Sequence, residues 1–201
     1  MSLDPEQQTR VLDSAVELFT RHELNSITID QITEISGVSA FDLVRHYRSK
    51  ENLLASVLDR ELELMSAAAY APELRMPGET LRDELETVGR TILAEYRNRL
   101  PLLSKLVLES MKDSQVGALF YRTFIVQGRR LFAEFLNTRK QLGEVRHDLD
   151  VEAAAAMLLS FLTSVIMLGE MCGGKTVETI DDHRVITQMS EVFLRGIQTK
   201  L

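Results

Sequence analysis

The 201-residue chain is expected to fold as an all-α protein of about nine helices, and two observations carry that expectation. Apolar residues recur at three- and four-residue spacing along most of its length, the period of one face of a helix. Capping signals stand where these stretches begin: Asp4-Pro5, Thr28 with Gln31, Ser39 with Asp42, Ser49, and Asp150. With 45% hydrophobic residues the chain has the material to bury a core as one or two compact domains.

Taken in order, Asp4 caps a helix with proline at its first position, and Val11, Leu12, Ala15, Leu18 and Phe19 form its apolar face. Thr28 and Gln31 have the spacing of a capping box for a short helix striped by Ile29, Ile32 and Ile35. Gly37 suits the left-handed residue that ends it, and Ser39 with Asp42 starts the next. That helix has room for only about two turns before a new start at Ser49, too few to persist alone in water. Two short helices around a Gly turn make a helix-turn-helix, in which the second helix enters the major groove of DNA. The helix from Ser49 runs through Leu62, Met65 and Ala69 until Pro72 and Pro77-Gly78 break it. The expected division is therefore a DNA-binding domain over residues 1–48 and a helical domain over 49–201, with 49–71 as the connecting helix.

The second half repeats the pattern with longer helices. Leu81, Leu85, Val88, Ile92 and Tyr96 stripe one helix, and Pro101 starts another carrying Leu103, Leu106, Val107 and Met111. A long helix from Ser114 to about Leu142 bears Val116, Leu119, Phe120, Phe124, Leu131, Phe132 and Phe135 on more than one face, so several neighbours must surround it. Gly143 makes a turn, Asp150 caps an Ala- and Leu-rich helix ending at Gly173-Gly174, and the last helix spans Asp181 to Lys200. The last two long helices carry more apolar surface than one small domain covers, which predicts a homodimer.

The order of signals over residues 8–60 resembles the N-terminal domain of TetR/AcrR-type transcriptional regulators. The residues that carry the resemblance are the helix ending Leu18-Phe19, then Thr28, Ile32, Gly37-Val38-Ser39, Leu43, His46-Tyr47 and Ser49-Lys50-Glu51. Three positions depart from the family's usual form: Phe41 stands for Gly, Asp42 for Thr or Ser, and Val44 for Tyr. The resemblance implies a dimeric, ligand-responsive repressor that contacts double-stranded DNA through Thr28, Ser39, Ala40, Phe41, Val44, Arg45, His46, Tyr47 and Lys50. It further implies that the last two helices pair with their copies as a four-helix bundle, through Ala153, Ala156, Ser160, Ser164, Leu168, Met189, Val192 and Phe193. A two-fold dimer sets two reading helices about one DNA turn apart, so a near-palindromic operator is expected. Clustered Met and Phe suggest adaptable apolar walls for a small apolar or amphipathic effector at Met65, Leu103, Val107, Met111, Phe120, Phe124, Met157 and Phe161, with plain core packing as the alternative.

Within the reading helix several roles stay open. Arg45 reads guanine or pairs with Asp42 within the helix, His46 contacts DNA or closes the helix end, and Tyr47 contacts DNA or fills the core. Phe41 and Val44 touch a thymine methyl or pack on the domain.

Charge does not mark a basic module. The chain is −7 overall, and residues 1–60 hold six Lys/Arg against ten Asp/Glu, a difference of −4. Residues 37–50 nevertheless set Arg45, Arg48 and Lys50 against Asp42 for +2, which focuses the positive field at one surface. A head degenerated at Phe41, Asp42 and Val44, on a dimer that binds only ligand or protein, is the competing expectation.

Other classes find little support. The His residues are dispersed, and there is no His-Glu-x-x-His pair, Gly-rich phosphate loop or Gly-x-Ser-x-Gly elbow, so neither enzyme, metal site nor cofactor is expected. His147-Asp148 beside Arg146 reads as a solvated loop. The charged start Asp4 to Arg10 is not followed by an apolar run, so no secretory signal is expected. Ala153 to Gly169 lacks charge but is short for a membrane span, and is expected to be a buried helix of a cytoplasmic protein. Cys172, the only cysteine, excludes an internal disulfide and is expected to be a buried thiol rather than an oxidant sensor.

Overall fold

In the computed structural model of the protein, which describes residues 3–70, 79–179 and 181–198, each predicted cap is made. Asp4 opens α1 (Pro5–Arg21) and Thr28 opens α2 (Ile29–Ser36), both as full capping boxes with the glutamine three residues on. Ser39 opens α3 (Ala40–Tyr47), and the Ser49 hydroxyl accepts the Asn52 N–H at 3.2 Å at the start of α4 (Lys50–Ala69). The sequence also holds a box at Thr80 and Asp83, whose mutual hydrogen bonds of 2.9 and 3.3 Å start α5 (Leu81–Asn98). Next come α6 (Leu100–Lys112), α7 (Ser114–Phe120) and α8 (Gln127–Gln141), then α9 (Val151–Ile166), the single turn α10 (Gly174–Val177) and α11 (Asp182–Ile197).

The long helix expected from Ser114 is present with a π-helical stretch at Tyr121–Val126 between α7 and α8. A second π turn, Met167–Met171, extends α9. Counting α7–α8 as one rod and leaving α10 aside, the described residues form nine helices. Pro72, Pro77-Gly78 and Lys200 lie outside the described residues.

By contacts the chain forms two compact units, which do not follow the motif boundary at 48/49. Unit 1 is Met1–Leu62 with Arg99–Ile125, and unit 2 is Glu63–Asn98 with Val126–Leu201. In unit 1, Val11, Ala15, Phe19, Leu53, Val57 and Leu58 have no exposure and make the centre of the core. Each of these side chains other than Ala15 contributes about 1.5–3 kcal/mol through burial. Helix α6 packs on α1, which is why residues 99–125 cluster with the head.

A polar chain crosses this unit. Glu61 on α4, 7% exposed, accepts from Arg60 at 3.0 Å and from Arg99, just before α6, at 2.8 Å. Arg60 also donates to Asp13 on α1 at 2.8 Å. Lys112 at the end of α6 bridges Glu109 at 3.3 Å and Glu23 at 3.2 Å.

In unit 2, α8 packs on α9 and α5 packs on both α9 and α11. Phe132 is fully buried, its ring 5.5 Å from Phe135 and 6.4 Å from both Tyr70 and Phe193. Arg139 lies 5.3 Å over the Phe135 ring and pairs with Glu84, and Arg97 ties Glu170 (2.7 Å) to Asp182 at the start of α11. Gly89 admits α11: a Cβ there would lie 3.1 Å from Ile186 Cδ1.

The segment Val151–Met171 is long and apolar enough to cross a membrane by composition, and 28% of its most apolar window is buried within the chain. It is thus not the fully buried helix the sequence suggested. Its α9 portion turns Ala154, Ala155, Leu158, Leu162 and Ile166 inward and Met157, Phe161 and Ser164 outward. Cys172 is exposed, a correction to the buried thiol expected: it follows the π turn that ends at Met171, where Gly173 at φ +73° starts the turn into α10.

Candidate nucleic-acid interface

The helix-turn-helix is built from α2, Gly37 and α3. Gly37 sits at φ +67°, where a Cβ would meet nothing within 4 Å, so the demand for glycine is conformational rather than steric. Ser36 locks the turn from both sides: its hydroxyl accepts the Val38 N–H at 3.2 Å, and its carbonyl accepts Arg10 Nε from α1 at 3.1 Å. Ser39 Oγ accepts the Asp42 N–H at 3.1 Å and donates to Asp42 Oδ2 at 2.6 Å. The Asp42 carboxylate is therefore engaged at the cap, half-buried, and the intrahelical pair with Arg45 does not form among the described residues.

An eight-residue helix needs its partners. Leu43 (1% exposed) and Tyr47 (6%) turn into the core, while Phe41 (71%), Val44 (48%), Arg45 and Arg48 share the opposite, exposed face. No partner is found among the described residues for the guanidinium groups of Arg45 and Arg48. Three positive groups lie in this stretch, and two of them are free to meet a polyanion.

Two expected DNA contacts are placed otherwise. Tyr47 is a core aromatic, four residues after Leu43 on the buried face, and burial pushes its phenol pKa up against the opposing pull of Arg60. Lys50 turns its ammonium back into the domain, onto the carbonyls of Leu24 at 2.5 Å and Ile27 at 3.5 Å, and pins the turn that precedes α2. His46 is half-buried with its ring edge-on to Tyr47 at 4.6 Å, whereas Thr28, Ser39 and Ala40 are exposed at the N-termini of α2 and α3. Arg10, Ser36 and Asn52, whose Nδ2 donates to the Tyr47 carbonyl at 2.9 Å, escaped the sequence reading because their partners lie across turns.

Arg48 ends α3 at φ 68°, ψ −37°, a conformation costly for a side chain with a Cβ. Arg48→Gly is expected to raise unfolding stability by about 0.5–1 kcal/mol in urea melts, through relief of strain. A loss of stability would show that Arg48 contacts outweigh the strain.

The remaining expected residues fall on both units. Met65 (6% exposed) is buried in unit 2, and Leu103 (5%) and Phe124 (2%) in unit 1, where Val107 and Phe120 are half-buried and the Phe120 and Phe124 rings stack at 5.6 Å. Met111, 81% exposed, points outward from the end of α6 instead of lining a wall. Met157 (71%) and Phe161 (41%) likewise leave the interior. They line an apolar groove of about 760 Å³ between α9 and α11, together with the expected interface residues Ala153, Met189, Val192 and Phe193. Ser160, Ser164 and Leu168 are exposed and Ala156 is half-buried. Among the described residues no group of three or more His, Cys, Asp or Glu is placed to hold a metal ion.

Known proteins share this architecture. The family described as "Bacterial regulatory proteins, tetR family" matches residues 11–57, and the one described as "AefR-like transcriptional repressor, C-terminal domain" matches residues 83–196. The HTH-type transcriptional regulator UidR of Escherichia coli (strain K12) is 22% identical over 159 residues, 79% of each protein. A TetR-family transcriptional regulator from Rhodococcus sp. superposes with a TM-score of 0.76 at 16% identity, over 95% of this chain and 100% of that one. Salmonella enterica GusR does so with a TM-score of 0.71 at 22% identity, over 96% and 98%.

Proposed function

Because the chain belongs to the TetR family of bacterial transcriptional regulators, we propose that it is a homodimeric repressor that leaves a near-palindromic operator when an apolar or amphipathic small molecule binds. The observation that carries the reading of DNA is the intact frame of α3. Its cap, its buried Leu43 and Tyr47 and its outward Arg45 are all in place, although the acidic domain supplies little charge around them.

The match to an AefR-like repressor C-terminal domain supports the sign of control. The outward apolar faces of α9 and α11 support the homodimer, since a groove of this size and composition is covered in the working protein. A second copy there also removes the apolar surface of Val151–Met171 from water, so no membrane is needed to cover it. The dimer works in the cytoplasm beside its DNA. An effector acts by population shift: it binds more tightly to dimers whose heads stand at the wrong spacing, and its differential affinity sets how far the operator is released.

Selection of bound fragments from genomic DNA tests the proposal, with effector response read as release of the selected site. Arg45→Ala is expected to cost about 1–3 kcal/mol per half-site at a single base pair, if its guanidinium spans O6 and N7 of one guanine. Equal binding of wild type and variant to all sequences would remove Arg45 from the reading set.

A further inference from the structure

Resting on that reading of α3 as the helix that enters the major groove, we propose that Phe41 and Val44 read thymine through its 5-methyl group, so that the operator half-site carries thymine beside the base pair read by Arg45. Phe41 is 71% exposed and Val44 48%, which decides between the two roles the sequence left open: neither is packed away on its own domain. Both lie on the outward face of the helix with Arg45, opposite Leu43 and Tyr47.

Neither side chain can donate or accept a hydrogen bond, so neither can recognise the polar edge of a base. The apolar feature the major groove offers is the methyl on C5 of thymine, and a phenyl ring or a branched aliphatic group gains by covering it. The carboxylate that might repel the groove is turned aside, since Asp42 is engaged by the Ser39 hydroxyl at 2.6 Å. Side chains three apart on a helix stand about 5–6 Å from each other. Successive bases on a strand rise about 3.4 Å. The two side chains therefore cover methyl groups within about two base pairs of one another.

Uracil differs from thymine only by that methyl, which makes the test specific. An operator is first selected with the wild-type dimer, and each thymine of the half-site is then replaced by deoxyuridine, one at a time. The expected result is a loss of affinity of about fivefold or more at one or two positions close to the Arg45-dependent base pair. The loss at those positions should shrink to less than about twofold in Phe41→Ala or Val44→Ala, whose thermal midpoints should stay near wild type because the side chains are exposed. Uracil tolerated within about twofold at every position of a selected operator overturns the proposal and leaves the regulator reading standing. A dimer that selects no sequence overturns both.

Discussion

Removing the carboxylate of Glu61 is expected to destabilise the protein by about 3 kcal/mol, because Glu61→Ala takes away the acceptor of two charge-assisted hydrogen bonds from arginines that have given up much of their water. Glu61 is 7% exposed and accepts from Arg60 at 3.0 Å and Arg99 at 2.8 Å. Arg60 Nε is already without a hydrogen-bond partner among the described residues, so the variant adds to an existing deficit rather than exposing spare capacity. The carboxylate also joins α4 to the start of α6, and through Arg60 and Asp13 to α1. Urea unfolding at matched protein concentration measures the change. Replacing Arg99 as well, in Glu61→Leu with Arg99→Leu, should recover part of the loss, since an apolar pair of similar volume takes the place of one ion pair and Arg60 keeps Asp13 at 2.8 Å. A loss below about 1 kcal/mol for Glu61→Ala would mean that water solvates the arginines and that the chain of ion pairs contributes only as surface pairs do.

Met157→Asp combined with Val192→Asp is expected to leave the protein monomeric at concentrations where wild type is a dimer. Both residues are 71% exposed on the single chain and both line the α9–α11 groove. A two-fold contact repeats each substitution, so the pair brings four carboxylates into an apolar seam, each costing several kcal/mol if it stays charged. Sedimentation equilibrium reads the assembly directly. Operator affinity should fall by about 100-fold or more, since linking two half-site contacts in one molecule typically multiplies binding by 10²–10⁴. Unfolding of the monomer should still be cooperative, because neither side chain belongs to its core. A variant that remains dimeric would move the interface elsewhere.

The features legible in the sequence were those whose cause is local. Thr28 with Gln31 and Asp4 with Gln7 form their boxes within four residues, and Gly37 announces its own backbone conformation. The same local logic holds for Thr80 and Asp83, whose box also spans four residues. Long-range partners left no such mark. Lys50 has the composition of a phosphate contact, but its carbonyl partner at Leu24 is 26 residues away, and only the folded turn brings it within reach. The π turn at Tyr121–Val126 likewise had no local sign. On α9 the difficulty was different: apart from Glu152, Ser160, Thr163 and Ser164 the helix is apolar, so periodicity identifies a helix without showing which apolar residues it buries. By composition Met157 and Phe161 belong with Met65 to one wall, whereas the fold sets them at the groove with Met189 and Val192.

The frame of α3 is held by Ser36, Ser39, Leu43, Tyr47, Lys50 and Asn52, and none of these shares the outward face of Phe41, Val44 and Arg45. Natural drift at positions 41, 44 and 45 can thus change which operator is bound while the head keeps its fold. Paralogues that share this scaffold can diverge in their targets by a few substitutions, with no compensating change in the core.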